Sequence, residues 1–253
     1  MASQPRTFPL SFPLSALPAA ILAVAALTLT GCGGSSSPAS AQSSSPPASS
    51  ASASSASTAT TAQPAQAPPT GYQWVGIAAQ HMWLAVPDSW VVLNLNDLSV
   101  TQAMERVRLK GQTAAAMQTA VERLKQAHGI IAVDTNSVTA SPSKFATNVN
   151  AFCAPSAITP GPGAANAIIT STEAAYPKAG GQVISDRKVI STSSLVIVRI
   201  QVNLQTSSGL KVHELQFVDL TGHGQICYTT FSTDRPAKFF PQFTKMAATI
   251  QLG

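Results

Sequence analysis

The sequence predicts an α+β domain built around an antiparallel sheet, and two patterns carry that prediction. Over residues 196–205, apolar side chains alternate strictly with mostly polar ones, which is typical of a strand with one buried face. Several such strands follow one another in the last third of the chain, and their short turns require neighbouring strands to run antiparallel. Ahead of them, residues 113–128 carry an apolar stripe at helical spacing.

The first half of this domain is expected to contain short strands followed by two helices. Residues 72–94 predict two or three strands. Ser99 with Gln102 three residues later fits a capping box at the start of the first helix. Gly111 is expected to separate it from a second helix over about 113–128, and Gly129 stands where a helix C-terminal glycine belongs.

The second half is expected to alternate strands with two further helices. Gly161-Pro162-Gly163 lacks the residues of a phosphate-binding loop and is interpreted as a turn that opens a helix. Pro236 begins the last helix, and a short strand closes the chain. The predicted strands cover about 130–133, 148–152, 183–190, 196–205, 211–220, 225–232 and 250–252, and the helices cover about 164–176 and 236–247.

An export signal precedes the domain. Residues 1–31 contain Arg6 and then an apolar run from about Leu14 to Leu29, which is too short and broken for a comfortable membrane span. The run ends in Leu29-Thr30-Gly31-Cys32, which resembles the bacterial lipobox, whose cysteine thiol accepts a lipid. We therefore expect 1–31 to be a lipoprotein signal peptide and Cys32 to anchor the mature protein to the extracytoplasmic face of the cell membrane. The alternative is an ordinary secretory signal followed by a coincidental cysteine.

Residues 32–70 are predicted to form a disordered linker. Thirteen of the 38 residues after Cys32 are serine, and none is charged or aromatic. Such a segment cannot bury enough apolar surface to offset its chain entropy. Its composition also permits O-linked sugars. The globular domain is predicted to span residues 71–253, where aromatic and β-branched side chains first appear together.

The charge and the residue motifs of the domain argue against several functions. Fourteen basic and ten acidic side chains are interspersed, with no basic cluster that would indicate nucleic acid binding. The histidines lack the spacing of metal ligands, so we expect no metal and no other cofactor. No serine lies in a nucleophile elbow, so we expect no enzymatic activity. The histidines are His81, His128, His213 and His223.

The two remaining cysteines suggest a disulfide. If lipid occupies Cys32, Cys153 and Cys227 are left as an even pair in an exported chain, where oxidising conditions favour a bond. The alternative is two buried free thiols on strands that are not neighbours.

The domain also resembles a known fold family. The residues concerned are the Pro87-x-x-Trp90 turn, the segment Phe145-Ala146-Thr147-Asn148-Val149-Asn150, the long antiparallel meander, and the final helix and strand over 239–252. In order and spacing they resemble the PsbP-like domain of actinobacterial LpqN-type lipoproteins. The resemblance implies an α/β/α sandwich, in which helices cover both faces of a central antiparallel sheet. It implies no activity, because members of the family differ widely in function.

Three functions remain open. The first is a non-enzymatic module that binds or supports another component of the cell envelope. The second is a carrier of a small apolar ligand or lipid, for which the exposed part of an aromatic cluster could form a groove. The third is a cell-envelope hydrolase, because a triad assembled from distant residues leaves no local pattern. The cluster consists of Phe231, Phe239, Phe240 and Phe243, near Tyr228.

Overall fold

The computed structural model describes Pro64 and residues 66–109, 111–205 and 209–253. The predicted signal peptide over 1–31, the lipid acceptor Cys32 and most of the 32–70 linker therefore lie outside the described residues. The predicted turn at Ser207 and Ser208 lies outside them as well.

Ten strands within the described residues form two antiparallel sheets. The smaller sheet has the order β1-β2-β10, and the larger has the order β3-β4-β5-β9-β8-β7-β6. The strands are β1 (Tyr72–Ile77), β2 (Met82–Pro87), β3 (Val91–Asn94), β4 (Ile130–Asp134), β5 (Thr147–Pro155), β6 (Gly181–Ser191), β7 (Leu195–Gln205), β8 (Lys211–Thr221), β9 (Gln225–Thr233) and β10 (Gln251–Leu252).

Helices lie on both faces of the larger sheet, which confirms the predicted sandwich. One face is covered by α1, α2 and α4, and the other by α5 together with the smaller sheet. None of the helices in the described ranges is long and apolar enough to cross a membrane. The helices are α1 (Val100–Val107), α2 (Gly111–Gln126), α3 (Ser137–Ala140), α4 (Ala164–Ala175) and α5 (Pro236–Ala247).

Each face of the larger sheet has its own core, because successive side chains of a strand point to opposite faces. On β7 the even-numbered residues from Val196 to Leu204 are buried beneath the helices on the α4 side. On β9, Cys227 and Phe231 point the other way and pack under α5 and the smaller sheet. The alternation read from the sequence therefore separates the two cores.

The first helix begins as predicted. The Ser99 hydroxyl accepts from the backbone N–H of Gln102, and the Gln102 side chain accepts from the backbone N–H of Ser99. This reciprocal pair satisfies two amide groups that the helix itself cannot bond. The helix ends at Arg108, which takes the left-handed conformation with φ 54°. The sequence predicts that Gly111 separates the two helices, but Gly111 is the first residue of α2.

The left-handed residue that caps α2 lies one position before the predicted one, and the helix itself ends at Gln126. His128, and not Gly129, has the left-handed conformation, with φ 53°. The N–H of Gly129 donates to the carbonyl of Leu124, which closes the helix in the manner of a Schellman motif. A Cβ atom at Gly129 would lie 2.7 Å from the carbonyl oxygen of Ala151. The glycine is therefore required for close contact with the neighbouring strand.

Candidate functional site

An open cleft lies on the α5 side of the larger sheet. Helix α5 packs over β8 and β9 and leaves the outer strands β6 and β7 uncovered on this face. The cleft runs between these strands and the C-terminal end of α5 with β10, and its volume is ≈ 1080 Å³. We call it the α5 cleft and define it by the lining residues Arg187, Ile197, Arg199, Phe217, Asp219 and Leu252.

Two arginines lie side by side on the sheet face that lines this cleft. Arg187 on β6 is the direct partner of Arg199 on β7, and both side chains line the cleft. Directly opposed residues in an antiparallel sheet have Cβ atoms about 5 Å apart, so their like charges repel. Among the described residues, neither guanidinium makes a hydrogen bond or an ion pair. The pair is therefore an uncompensated concentration of positive charge.

A buried carboxyl group forms part of the cleft floor. Asp219 on β8 lies between Ile197 on β7 and Cys227 on β9 and is only 1% exposed. Its Oδ2 atom has no hydrogen-bond partner among the described residues. Burial raises the pKa of Asp219 to about 7, because water no longer stabilises the charged form. Near neutral pH the group therefore exchanges between a proton donor and an anion.

Cys153 and Cys227 form a disulfide beside this carboxyl group, as predicted. They are direct partners on β5 and β9, with an S–S distance of 2.02 Å. The bond is buried under β2, where the Sγ atom of Cys153 lies 3.7 Å from the Sδ atom of Met82. Two central strands of the larger sheet are thus joined covalently below the cleft.

The aromatic cluster does not form a groove. Phe231, Phe239 and Phe243 are buried, and the rings of Phe231 and Phe243 stack with centroids 5.1 Å apart. Phe240 is half-buried at their edge. Tyr228 belongs to the opposite face of the sheet, where it stacks on Phe152 with centroids 5.0 Å apart. The cluster expected to offer an apolar groove is filled core, because α5 lies directly over it.

The histidines lie apart from one another. His128 contacts Asn96 and His213 contacts Asn203, with distances of 3.2 Å and 2.7 Å from Nδ1 to the amide oxygen. His81 follows a short 3-10 turn, and His223, in the β8–β9 turn, lines the α5 cleft. Within the described part of the chain, no three His, Cys, Asp or Glu residues are grouped so that they could hold a metal ion.

A second buried carboxyl group lies on the other face of the sheet. Glu214 is 2% exposed and accepts hydrogen bonds from the hydroxyls of Tyr176 and Ser232, at 3.3 Å and 3.1 Å. Burial raises the pKa of Glu214 to about 7, and the two hydrogen bonds only partly oppose this effect. Because helices cover this face and both carboxylate oxygens have partners, we assign Glu214 to the core.

Sequence reasoning did not single out Asp219 or the arginine pair. The sequence did contain a signal for Asp219. This residue lies on the same face of its strand as Leu215 and Phe217, where an apolar residue would be expected. The arginine pairing depends on the register between β6 and β7. That register contains two irregularities, one between Val183 and Ser185 and one between Lys188 and Ile190. No sequence pattern indicated these bulges.

The fold defines an α+β protein of the sandwich class, and two solved structures are similar to it. One is the solution structure of cyanobacterial PsbP (CyanoP) from Synechocystis sp. PCC 6803, with 11% identity and a TM-score of 0.43, covering 72% of this chain and 93% of that one. The other is PA94 from Pseudomonas aeruginosa, a protein of unknown function described as a putative regulator. It has 11% identity and a TM-score of 0.36, and the match covers 72% of this chain and 97% of that one.

These similarities concern the general fold alone. A protein of the PsbP family, which the sequence resembles, is among the similar structures. No family model matches the sequence. No curated protein matches it either. The function must therefore be argued from the residues of this chain.

Proposed function

We propose that the protein is an exported, lipid-anchored envelope lipoprotein of the LpqN type from an actinobacterium, whose domain binds another envelope component without catalysing a reaction. The observation that supports binding is the α5 cleft. It combines an uncovered sheet face, unpaired charge and exposed apolar side chains, which is the composition of a recognition site. The lipid on Cys32 would hold this cleft close to the extracytoplasmic membrane surface.

The anchor is tested by cell fractionation. Lipid attachment needs the thiol of Cys32, and one or more acyl chains then partition into the bilayer. The wild-type chain is expected in the membrane fraction, and the Cys32→Ala variant in the soluble extracytoplasmic fraction. Gly33→Ala is a suitable control, because it alters the neighbouring residue and keeps the thiol. Recovery of Cys32→Ala in the membrane fraction would disprove the anchor.

Binding is favoured over hydrolysis by the contacts inside the cleft. Ser194, Asp219 and His223 all line it, so their residue types are those of a catalytic triad. In the described part of the chain, however, the Oδ2 atom of Asp219 has no partner, and the Ser194 hydroxyl contacts only Thr192. A nucleophile needs a base within hydrogen-bonding distance. These three residues do not provide that arrangement.

The binding site is tested by photocrosslinking in intact cells. Two isoleucines on β6 offer a matched pair, because Ile190 is 41% exposed and lines the cleft, whereas Ile184 is 46% exposed and does not belong to the described lining. A photoreactive amino acid at position 190 is expected to capture one reproducible envelope component, and the same group at 184 is expected not to. Equal capture at both positions, or at neither, would contradict a binding function of the cleft.

A carrier of a small ligand is the second candidate, and the apolar part of the cleft favours it. Ile197, Phe217 and Leu252 all contribute to the lining. A captured lipid instead of a captured protein at position 190 would support this form of the proposal.

A further inference from the structure

The lining of the α5 cleft combines two kinds of side chain. Its apolar part is formed by Ile190, Ile197 and Phe217 of the sheet with Ile250 and Leu252. Its charged part is Arg187 and Arg199, and Arg199 is the direct strand partner of Phe217. An apolar surface next to two unpaired cations matches a ligand that has an apolar body and an anionic head.

The arginine pair is suited to an oxyanion. Guanidinium groups bind carboxylate and phosphate groups through two parallel hydrogen bonds, and two guanidiniums on directly opposed residues converge on one such group. Without an anion, their mutual repulsion weakens the β6–β7 pairing. The ten acidic residues all lie in the described part of the chain, and none of them forms an ion pair with either arginine. The two cations therefore have no ion-pair partner there.

Asp219 supplies an independent observation in the same cleft. Its side chain is almost completely buried, lines the cleft and has an Oδ2 atom without a hydrogen-bond partner among the described residues. A buried polar atom without a partner destabilises the fold, so such atoms are rare unless a ligand or water completes them. In its protonated form the carboxyl group can donate a hydrogen bond to a ligand in the cleft.

From these contacts we propose that the α5 cleft binds a single-chain amphiphile whose carboxylate or phosphate head lies on Arg187 and Arg199 and whose hydrocarbon chain lies on Ile197, Phe217 and Leu252. This inference rests on the proposed function, since it names the ligand class of the same cleft. A peptide that adds a strand to the edge strand β6 is the competing occupant, which the experiment below distinguishes from an amphiphile.

The experiment measures binding of defined probes to the full chain carrying Cys32→Ala, so that no attached lipid competes. Dodecanoate and dodecyl phosphate represent the two possible heads, and dodecyltrimethylammonium has the same chain with a cationic head. Acetate and inorganic phosphate represent the heads alone. The two anionic amphiphiles are expected to bind one per chain and about tenfold or more tightly than the cationic one, because only they pair with the arginines.

The variants locate the head group. The double variant R187Q/R199Q is expected to lose about tenfold or more in affinity for the anionic amphiphiles and to gain none for the cationic one. R106Q is the matched control, because Arg106 is an exposed arginine of α1 on the opposite face of the sheet. It is expected to bind as the wild type does. Circular dichroism of each variant shows that the fold is retained.

Three results would overturn the inference. They are equal binding of the cationic and anionic amphiphiles, unchanged affinity of the double variant, and binding of an apolar peptide with a free carboxylate in place of both amphiphiles. If the probes fail while position 190 still captures an envelope protein in cells, the ligand class is wrong and the binding function stands. If both experiments fail, the binding function falls as well.

Discussion

Asp219 on β8 lies directly opposite Cys227 on β9, so a buried carboxyl group adjoins the disulfide from Cys227 to Cys153. With Ile197 these residues form one row across β7, β8, β9 and β5, on a single face of the sheet. The row begins in the open cleft and ends beneath the smaller sheet. The covalent bond therefore supports the strand next to the candidate binding site.

Removal of the disulfide is expected to destabilise the domain strongly. It closes a loop of 74 residues, and the chain-entropy model gives ~4 kcal/mol for such a loop. The free energy of unfolding of C153A/C227A, measured by urea denaturation, should fall by about this amount. Reduced wild-type protein is the control and should lose a similar amount. In the Cys32→Ala background, uptake of two alkylating groups without reduction would show that the bond is absent.

Binding of an anionic amphiphile is expected to weaken as the pH rises through about 7. Burial raises the pKa of Asp219 to about 7, so above this pH the carboxyl group becomes an anion that repels the ligand head. The other charged or titratable residues in the described lining are Arg187 and Arg199 from the sheet and His223 from the β8–β9 turn, and α5 and β10 contribute none.

The measurement uses decanesulfonate, whose own charge is constant over this range, in the Cys32→Ala chain. The affinity of D219N should be nearly independent of pH, because asparagine stays neutral and can still donate a hydrogen bond. H223Q is the control and should keep the pH dependence. If the pH dependence of the affinity persists in D219N and disappears in H223Q, it arises from His223 and the prediction is wrong.

The stability of the fold is expected to decrease with rising pH because of Glu214. Its pKa is raised from 4.5 to about 7 in the folded state, mainly by burial. Between these values the folded state binds a proton that the unfolded state has released, so the free energy of unfolding falls through this window and stays low above it. Tyr176 is the titratable group that hydrogen-bonds to Glu214.

E214Q removes this titration. At about pH 8 it should be more stable than the wild type by roughly 3 kcal/mol or less, the upper value being the full pKa difference. Urea denaturation at several pH values measures the effect. Asp219 contributes with the same sign, so E214Q/D219N should have the flattest profile. A wild-type stability that rises from about pH 5 to about pH 8 would contradict the assignment.

Phe243 and Phe240 on α5 provide a test of the aromatic cluster. Phe243 is fully buried between Phe231 and Phe239, whereas Phe240 is half-buried at the edge. F243A should lower the free energy of unfolding by about 3–5 kcal/mol, and F240A by clearly less, because less surface is removed from contact. Affinity of F240A for dodecanoate should equal that of the wild type. A large loss of affinity in F240A with little loss of stability would instead indicate a ligand groove at this cluster.

Local features were predictable from the sequence because a few neighbouring residues determine them. The hydroxyl of Ser99 and the side chain of Gln102 satisfy amides within one helical turn, so their spacing was sufficient. The left-handed cap of α2 is His128 and not the predicted Gly129. There, Gly129 is required by contact with Ala151 on β5, and this contact is invisible in the local pattern.

Which strands belong to each sheet could be predicted from the sequence only in part. The meander from β6 to β9 follows from short turns and alternation. The pairing of β5 with β9 joins residues at least 70 positions apart, and the paired cysteines were its only sequence signal. The separation of β1, β2 and β10 into a second sheet had no sequence signal, because strand propensity does not identify the partner strand.

By itself, the sequence predicted the class of the fold, the order of its main elements and the cysteine pair, because periodicity, turn residues and redox chemistry depend on the order of residues. It also predicts export and lipid attachment at Cys32. Only the tertiary structure decided that α5 covers β8 and β9 but leaves β6 and β7 open. The same packing brought Arg187, Arg199 and the buried Asp219 to one cleft. Helix placement and strand register depend on contacts between distant segments, so the candidate site emerged only when the chain was folded.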